Sequence, residues 1–274
     1  ALLSGVKLTS EITSDPAKLV VLKFEVVVLF DNAVPYDLVI APAVIVKDFF
    51  DKDQVAAVLN TLKNVSEEEW NLEGKEKREK GNPVHEELRE QSHKNWDGMT
   101  LGLTSRVDAK RMHPSLPHEM LIDQEHKIKK LMEKRFNQNL ILQLSGLHRW
   151  RPGREQQPHI DYYDSSEDHN FEMLAEYNLT KDRLEKFETN FNDKHFSSLV
   201  YFNDDYIGGE LYMPQWDWEI KPEPGMLIAF EGNQDHLHGV KMMEEGIRYT
   251  WSVFWTKFDW AMKNKLGAMN NVRI

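Results

Sequence analysis

Seven short apolar runs follow one another after residue 140: LILQLSGLHRW, HFSSLVYFN, GELYMP, WEIKPEP, MLIAF, HGVKMM and RYTWSVFWTKF. Most are rich in β-branched and aromatic residues, and Gly, Pro, Asn or Asp separates them. That is the pattern of many short strands, and it points to a sandwich or jelly roll. One stretch breaks the rhythm. Residues 164–194 form a long polar insert in which acids outnumber bases. Inserts of this length in compact domains are lids, binding loops or disordered segments.

Helical periodicity is confined to the N-terminal half. In KDFFDKDQVAAVLNTLKN (47–64), Asp51 or Asp53 is placed to cap a helix whose apolar face carries Val55, Val58, Leu59 and Leu62. HEMLIDQEHKIKKLMEKRF (118–136) gives a second helix, with Ile128, Leu131, Met132 and Phe136 inward and Lys and Arg in its later turns. The run LVVLKFEVVVLF (19–30) reads as a strand, as do YDLVI and PAVIV after it. Residues 65–94 are a charged stretch expected at the surface. The expected fold is therefore α+β, mainly β: a jelly roll with N-terminal supporting helices. Residues 1–43 read as a strand-rich extension and 44–274 as one domain, with helical support at 47–136 and the insert at 164–194.

Charge and composition narrow the chemistry. The formal net charge is -11, which disfavours a general nucleic-acid binder and opposes attachment to anionic membranes. Residues 19–30 are too short to span a bilayer and contain Lys23 and Glu25. No secretory leader is read at the start of the sequence, and a cytoplasmic setting is expected. The chain has no cysteine. That excludes disulfides, zinc-thiolate sites, iron–sulfur clusters and thiol nucleophiles. A metal site would have to be built from His, Asp and Glu, which suits Fe(II), Mn(II) or Zn(II).

The stretch EQQPHIDYY (155–163) offers such ligands. Residues two apart on a strand share a face, so His159 and Asp161 can converge on one point. The pair alone is a weak signal, because a metal needs a third ligand. The late segment EGNQDHLHGVKMMEEGIRYTWSVFW (231–255) supplies His236 and His238, and Arg248 lies ten residues beyond His238. Two His and one carboxylate make the facial triad of non-haem Fe(II) oxygenases, which keeps positions open for other ligands. An arginine nearby offers a bidentate fork for a carboxylate.

Several elements in fixed order resemble the prolyl 4-hydroxylase-like branch of the 2-oxoglutarate/Fe(II) dioxygenases. LHRWRPGREQQPHIDYY carries that family's aromatic-x-Pro-Gly turn before His-x-Asp. SSLVYFNDDYIGGELYMP resembles its Gly-Gly-Glu hairpin, and IKPEPGMLIAF its Pro-x-x-Gly element. HGVKMMEEGIRYTWSVFW resembles its distal His followed by Gly-x-Arg and an aromatic strand, and VIVKDFF the start of its domain. The resemblance covers roughly 44–258.

The resemblance implies a double-stranded β-helix (jelly roll) and an enzyme using Fe(II), 2-oxoglutarate and O2, with ascorbate in support. It assigns His159, Asp161 and His238 to the metal, with His238 preferred over His236 for its spacing to Gly246 and Arg248. It assigns Arg248 and Tyr201 to the distal carboxylate of 2-oxoglutarate, with Thr250 adding a hydrogen bond from the same face. No catalytic residue beyond the metal centre is implied. Trp150 stands where the family often has Tyr, and an indole can donate but not accept a hydrogen bond. Gln156 stands at a second common Tyr position. The implied reaction hydroxylates an unactivated C–H bond and releases succinate and CO2. A prolyl residue of a peptide or protein is the first substrate, with a free amino acid or small metabolite as the alternative. A nucleic-acid dealkylase fits poorly with the acidic balance and the single Arg. A non-catalytic jelly-roll binding module is the reading from another class. The acidic insert is expected to act as a mobile lid favouring cationic or neutral substrates. His148 and His195 are expected as hydrogen-bonded scaffold, and His85, His93, His113, His118, His126 and His169 at the surface.

Overall fold

The computed structural model describes residues 38–40, 43–67, 69–70, 96–101, 110, 113–188 and 194–261. The strand expected at 19–30, most of the charged stretch 65–94, His85 and His93 lie outside these residues. In chain order the elements are β1 (Leu38–Ile40), β2 (Ala43–Val46), α1 (Lys52–Asn64), β3 (Trp96–Thr100), α2 (His118–Phe136) and β4 (Leu140–Trp150). Then come β5 (Gln156–His159), α3 (Phe171–Glu176), α4 (Lys181–Glu188), β6 (Phe196–Tyr201), β7 (Ile207–Gly208), β8 (Leu211–Met213) and β9 (Trp218–Ile220). The last strands are β10 (Leu227–Glu231), β11 (His238–Val240), β12 (Met243–Glu245) and β13 (Arg248–Lys257).

Two antiparallel sheets face each other. The larger runs β1-β2-β10-β6-β13-β4-β3, the smaller β5-β11-β8-β9, and β12 and β7 form a short ribbon. This is the mainly β double-stranded β-helix that the resemblance implies, and it fits the sandwich or jelly roll expected from the strand pattern. The β1–β2 hairpin pairs Leu38 with Ile45, so it crosses the expected boundary between the extension ending at 43 and the domain starting at 44.

Strand alternation divides the core into two layers. On β13, Tyr249, Trp251, Val253 and Trp255 join the cluster that also holds Val58 and Leu62 of α1 and Ile128 and Met132 of α2. Both helices therefore cover the outer face of the large sheet. Each large side chain buried there contributes roughly 1.5–3 kcal/mol. The opposite residues, Arg248, Thr250, Ser252 and Phe254, line a cavity between the sheets. Both faces of β13 are covered, an apolar one by the helices and a more polar one by the cavity. Helix α1 starts where expected: Asp51 accepts from the Gln54 N–H at 2.8 Å, and the Gln54 side chain returns a bond to the Asp51 N–H.

Three elements differ from the expectation. Strand β3 was not legible in the sequence. The insert is not a plain polar loop. Leu174, Leu179 and Leu184 from α3 and its surroundings form a small core with Ile160, Tyr163 and Leu237. Ile160 separates His159 from Asp161, and Leu237 precedes His238, so the insert props the two segments that carry the candidate ligands. His113, expected at the surface, is fully buried, with Nδ1 3.6 Å from Glu69 and its carbonyl accepting from His118. The turn leading into α2 places it there.

Gly225, in the Pro-x-x-Gly element, ties the helical layer to the sheet. Its N–H donates to Tyr201 O at 2.7 Å and its carbonyl accepts from the Phe50 N–H at 3.1 Å. Its φ is +83°, and a Cβ there would lie 2.4 Å from the Phe50 carbonyl oxygen. Gly225→Ala should therefore destabilise the fold by about 2 kcal/mol or more. A denaturant midpoint equal to wild type would contradict this.

Candidate metal centre

Strands β5 and β11 are antiparallel neighbours, and their register sets His159 directly opposite His238. The ring centroids are 4.3 Å apart. Asp161 lies just past the end of β5. Its N–H and that of Tyr162 both donate to the Gly232 carbonyl, at 2.9 and 2.8 Å. This turn needs a glycine: a Cβ on Gly232 would meet Lys194 O at 2.2 Å and Asp161 Cβ at 3.0 Å. The ligand atoms of His159, Asp161 and His238 all lie within 4.8 Å of one another, the only such group among the described residues. His159 Nε2 is 3.8 Å from Asp161 Oδ1, and His238 Nε2 is 3.5 Å from Asp161 Oδ2.

Neighbouring groups fix the protonation of this set. His159 Nδ1 lies 3.0 Å from Gln157 O, and His238 Nδ1 lies 3.0 Å from His236 O. A carbonyl only accepts, so each Nδ1 carries the proton and each Nε2 keeps its lone pair. Burial lowers both imidazoles, His238 to about 4. Burial alone would raise the Asp161 carboxyl. Lys194, the two imidazoles and the Ser197 hydroxyl outweigh it and hold the group below its ordinary range. Two neutral imidazoles and a carboxylate are the donor set of a divalent cation, so the residues fit one. The Gln156 amide lies 3.0 Å from His159 Nε2 and donates to the same lone pair, so a bound metal would turn it aside. His236 is not in the group. Its ring bonds Asn233 at 2.8 Å, and its carbonyl orients His238.

The cavity beside the triad encloses about 350 Å³, and Trp150, Tyr201, Arg248 and Thr250 all line it. Arg248 is buried. Its Nη1 donates to Gly209 O at 2.7 Å, and Nε has no hydrogen-bond partner among the described residues. The guanidinium sits 4.2 Å from the Trp150 ring centroid and 5.8 Å from that of Tyr201. Trp150 is therefore a platform for the cation. Burial pushes the Tyr201 hydroxyl up to about 12, so it stays a neutral donor. A buried cation with an unspent N–H beside a neutral phenol suits a carboxylate.

Residues 145–256 match a family model described as the 2OG-Fe(II) oxygenase superfamily. That segment resembles the superfamily over about two fifths of the chain. Human prolyl 3-hydroxylase 2 is 34% identical over 68 residues, which cover 23% of the chain and 10% of that protein. Mouse prolyl 3-hydroxylase 3 is 29% identical over 84 residues, covering 27% and 12%. The chain thus spans about a tenth of the length of these curated relatives. A prolyl hydroxylase from Trichoplax adhaerens, solved with a hypoxia inducible factor oxygen degradation domain peptide fragment, shares the fold. Its TM-score is 0.50 at 13% identity, covering 78% of this chain and 83% of that one. The cofactors of a 2OG-Fe(II) oxygenase domain are Fe(II), 2-oxoglutarate and O2. Among the described residues no helix is long and apolar enough to cross a membrane.

The structure adds residues to the candidate site that sequence reading missed. Ser197 donates to Asp161 Oδ2 at 2.5 Å, and Lys194 Nζ is 4.0 Å from Asp161 Oδ1. Both belong to the segment entering β6, and no local pattern marks them. Arg154 and His148 also line the cavity, whereas His148 was expected only as scaffold. His195 is buried, 3.1 Å from Thr256 Oγ1 and stacked on Tyr162. Ser197→Ala should weaken divalent-metal binding about 10- to 100-fold, the cost of losing a group that orients a ligand. Calorimetric titration with Mn(II) would read it, and wild-type affinity would show that Asp161 needs no such support.

Proposed function

We propose that the protein is an Fe(II)/2-oxoglutarate-dependent hydroxylase acting on an unactivated C–H bond, first of all in a prolyl residue of a peptide or protein, with release of succinate and CO2. The observation that carries this reading is the convergence of His159, Asp161 and His238 with Arg248 on one cavity. The prolyl part draws on the prolyl 3-hydroxylase relatives, which match over a short stretch.

In this reading His159, Asp161 and His238 hold the metal. Arg248, Tyr201 and Thr250 receive the distal carboxylate of 2-oxoglutarate, with Trp150 beneath the guanidinium. Bound metal and cosubstrate supply the oxidising power for C–H cleavage. The protein's part is positional. The Nδ1 bonds to Gln157 and His236 lock both imidazoles. Ser197 aims the carboxylate. The apolar walls contributed by Phe230, Leu211 and Val240 limit water around the reacting carbon. No side chain has to act as a general base.

Anaerobic addition of Fe(II) and 2-oxoglutarate should produce a visible metal-to-ligand charge-transfer band. In air, proline-containing peptides should stimulate succinate formation and gain one oxygen by mass. A band without succinate from any peptide or metabolite would favour a binding module. Neither band nor succinate would remove the oxygenase reading.

A further inference from the structure

The charge lining the cavity is opposite in sign to the charge of the chain. The chain carries -11 overall, and the acidic insert argued for cationic or neutral substrates. Among the described residues the cavity wall holds Arg154, Lys194 and Arg248 against one carboxylate, Asp161. A divalent metal, Asp161, dianionic 2-oxoglutarate and Arg248 balance among themselves. Arg154 and Lys194 tilt the same wall positive, whatever else each touches.

Arg154 has no role in the proposed reaction, yet its position is built. It follows the Pro152–Gly153 turn. Gly153 N–H donates to Met243 O, and Met243 N–H donates to Arg154 O, both at 2.8 Å. The side chain therefore projects from backbone fixed to β12. Its guanidinium lies 5.0 Å from the centroid of the Trp150 ring that also carries Arg248. Burial and then the charge of Arg248 lower its proton affinity, and the Glu155 carboxylate opposes them in smaller measure. Two guanidiniums on one indole repel each other, and an anion brought by a ligand offsets that repulsion.

We infer that Arg154 is a specificity residue that receives a carboxylate of the primary substrate, so that the protein prefers a negative charge near the oxidised carbon. This rests on the hydroxylase reading above. The carboxylate has two possible sources: an acidic residue flanking the prolyl residue, or the terminal carboxylate of a C-terminal or free proline. A guanidinium fork takes either.

The test uses the full chain loaded with Mn(II) and 2-oxoglutarate, with calorimetric binding of ligands that share one prolyl residue. The set has Asp-, Ala- and Lys-flanked peptides, and a C-terminal prolyl peptide as acid and as amide. In wild type, the Asp peptide or the terminal acid should bind about tenfold tighter than its Lys or amide counterpart. Which of the two does so identifies the source. In Arg154→Gln the gap should shrink to about threefold or less, in Arg154→Glu it should reverse, and Arg154→Lys should retain it. Retained 2-oxoglutarate binding and an unchanged Tm certify that each variant is folded. Wild type binding Lys or neutral ligands equally well overturns the inference. So does an undiminished gap in Arg154→Gln. A variant that loses 2-oxoglutarate affinity while keeping the gap overturns it too, and assigns Arg154 to the cosubstrate. Wild type that binds 2-oxoglutarate but no prolyl ligand removes this inference and the prolyl reading together. Wild type that binds no 2-oxoglutarate removes the hydroxylase reading itself.

Discussion

Asp161→Ala should abolish the charge-transfer band and all metal-dependent 2-oxoglutarate turnover. The variant leaves two neutral imidazoles on one side of the site, too few donors for a firm divalent centre. Loss of a group that merely orients a ligand costs about 10- to 100-fold in metal affinity, so loss of the ligand itself should exceed ~100-fold. Asp161→Asn separates charge from shape: it keeps an oxygen for the Ser197 hydroxyl, 2.5 Å away, and removes the negative charge. It should fold and still bind metal poorly. The same ligand set fixes the pH response. Burial holds His238 to about 4 and lowers His159, so both lone pairs are available at neutral pH. Metal should therefore be retained below the ordinary imidazole range and lost as pH falls through His238's value of about 4, where protons compete for its Nε2. A band that survives in Asp161→Ala would place the metal elsewhere.

The legible parts were those carried by local period and spacing. Helix α2 runs His118–Phe136, as its apolar spacing predicts, and β13 announces itself through RYTWSVFWTK. Strand β3 was missed because WDGMT has no alternation and a central glycine. It is a strand because Trp96 through Thr100 pair with Trp150 through Gly146 of β4, and pairing partners are not a local property. The same limit hid Ser197, which meets Asp161 across 36 residues of sequence. His113 was misjudged because its burial comes from Glu69 and the turn into α2, not from its neighbours in sequence. The insert was misjudged for a related reason. Its surface charges dominate its composition, while Leu174, Leu179 and Leu184 find partners in Ile160 and Leu237, beside the candidate ligands. Arg154 stood in plain view within the motif, but a turn residue's side chain has no periodicity to say where it points.

Arg248→Ala should cost about two to three orders of magnitude in 2-oxoglutarate affinity. Removing one partner of a buried, hydrogen-bonded charge pair costs about 2–5 kcal/mol, much of it from stranding the other charge. Pyruvate keeps the keto acid end and lacks the distal carboxylate, so its affinity should change by less than about threefold. A loss shared equally by both ligands would mean that Arg248 supports the pocket and not the carboxylate. Arg248→Lys keeps a charge without the fork and should fall between wild type and Ala. Stability without ligand should barely change. The buried guanidinium carries a desolvation burden, and in the ligand-free chain it is offset by one bond to Gly209 O at 2.7 Å and by contact with Trp150. Arg248→Ala should therefore unfold at about the wild-type temperature without ligand, and lose the stabilisation that wild type gains from Mn(II) and 2-oxoglutarate. A residue that only packs would show the reverse: a lower Tm without ligand and an intact ligand-induced shift. The split between the two temperatures distinguishes a cation kept for a carboxylate from one kept for the fold.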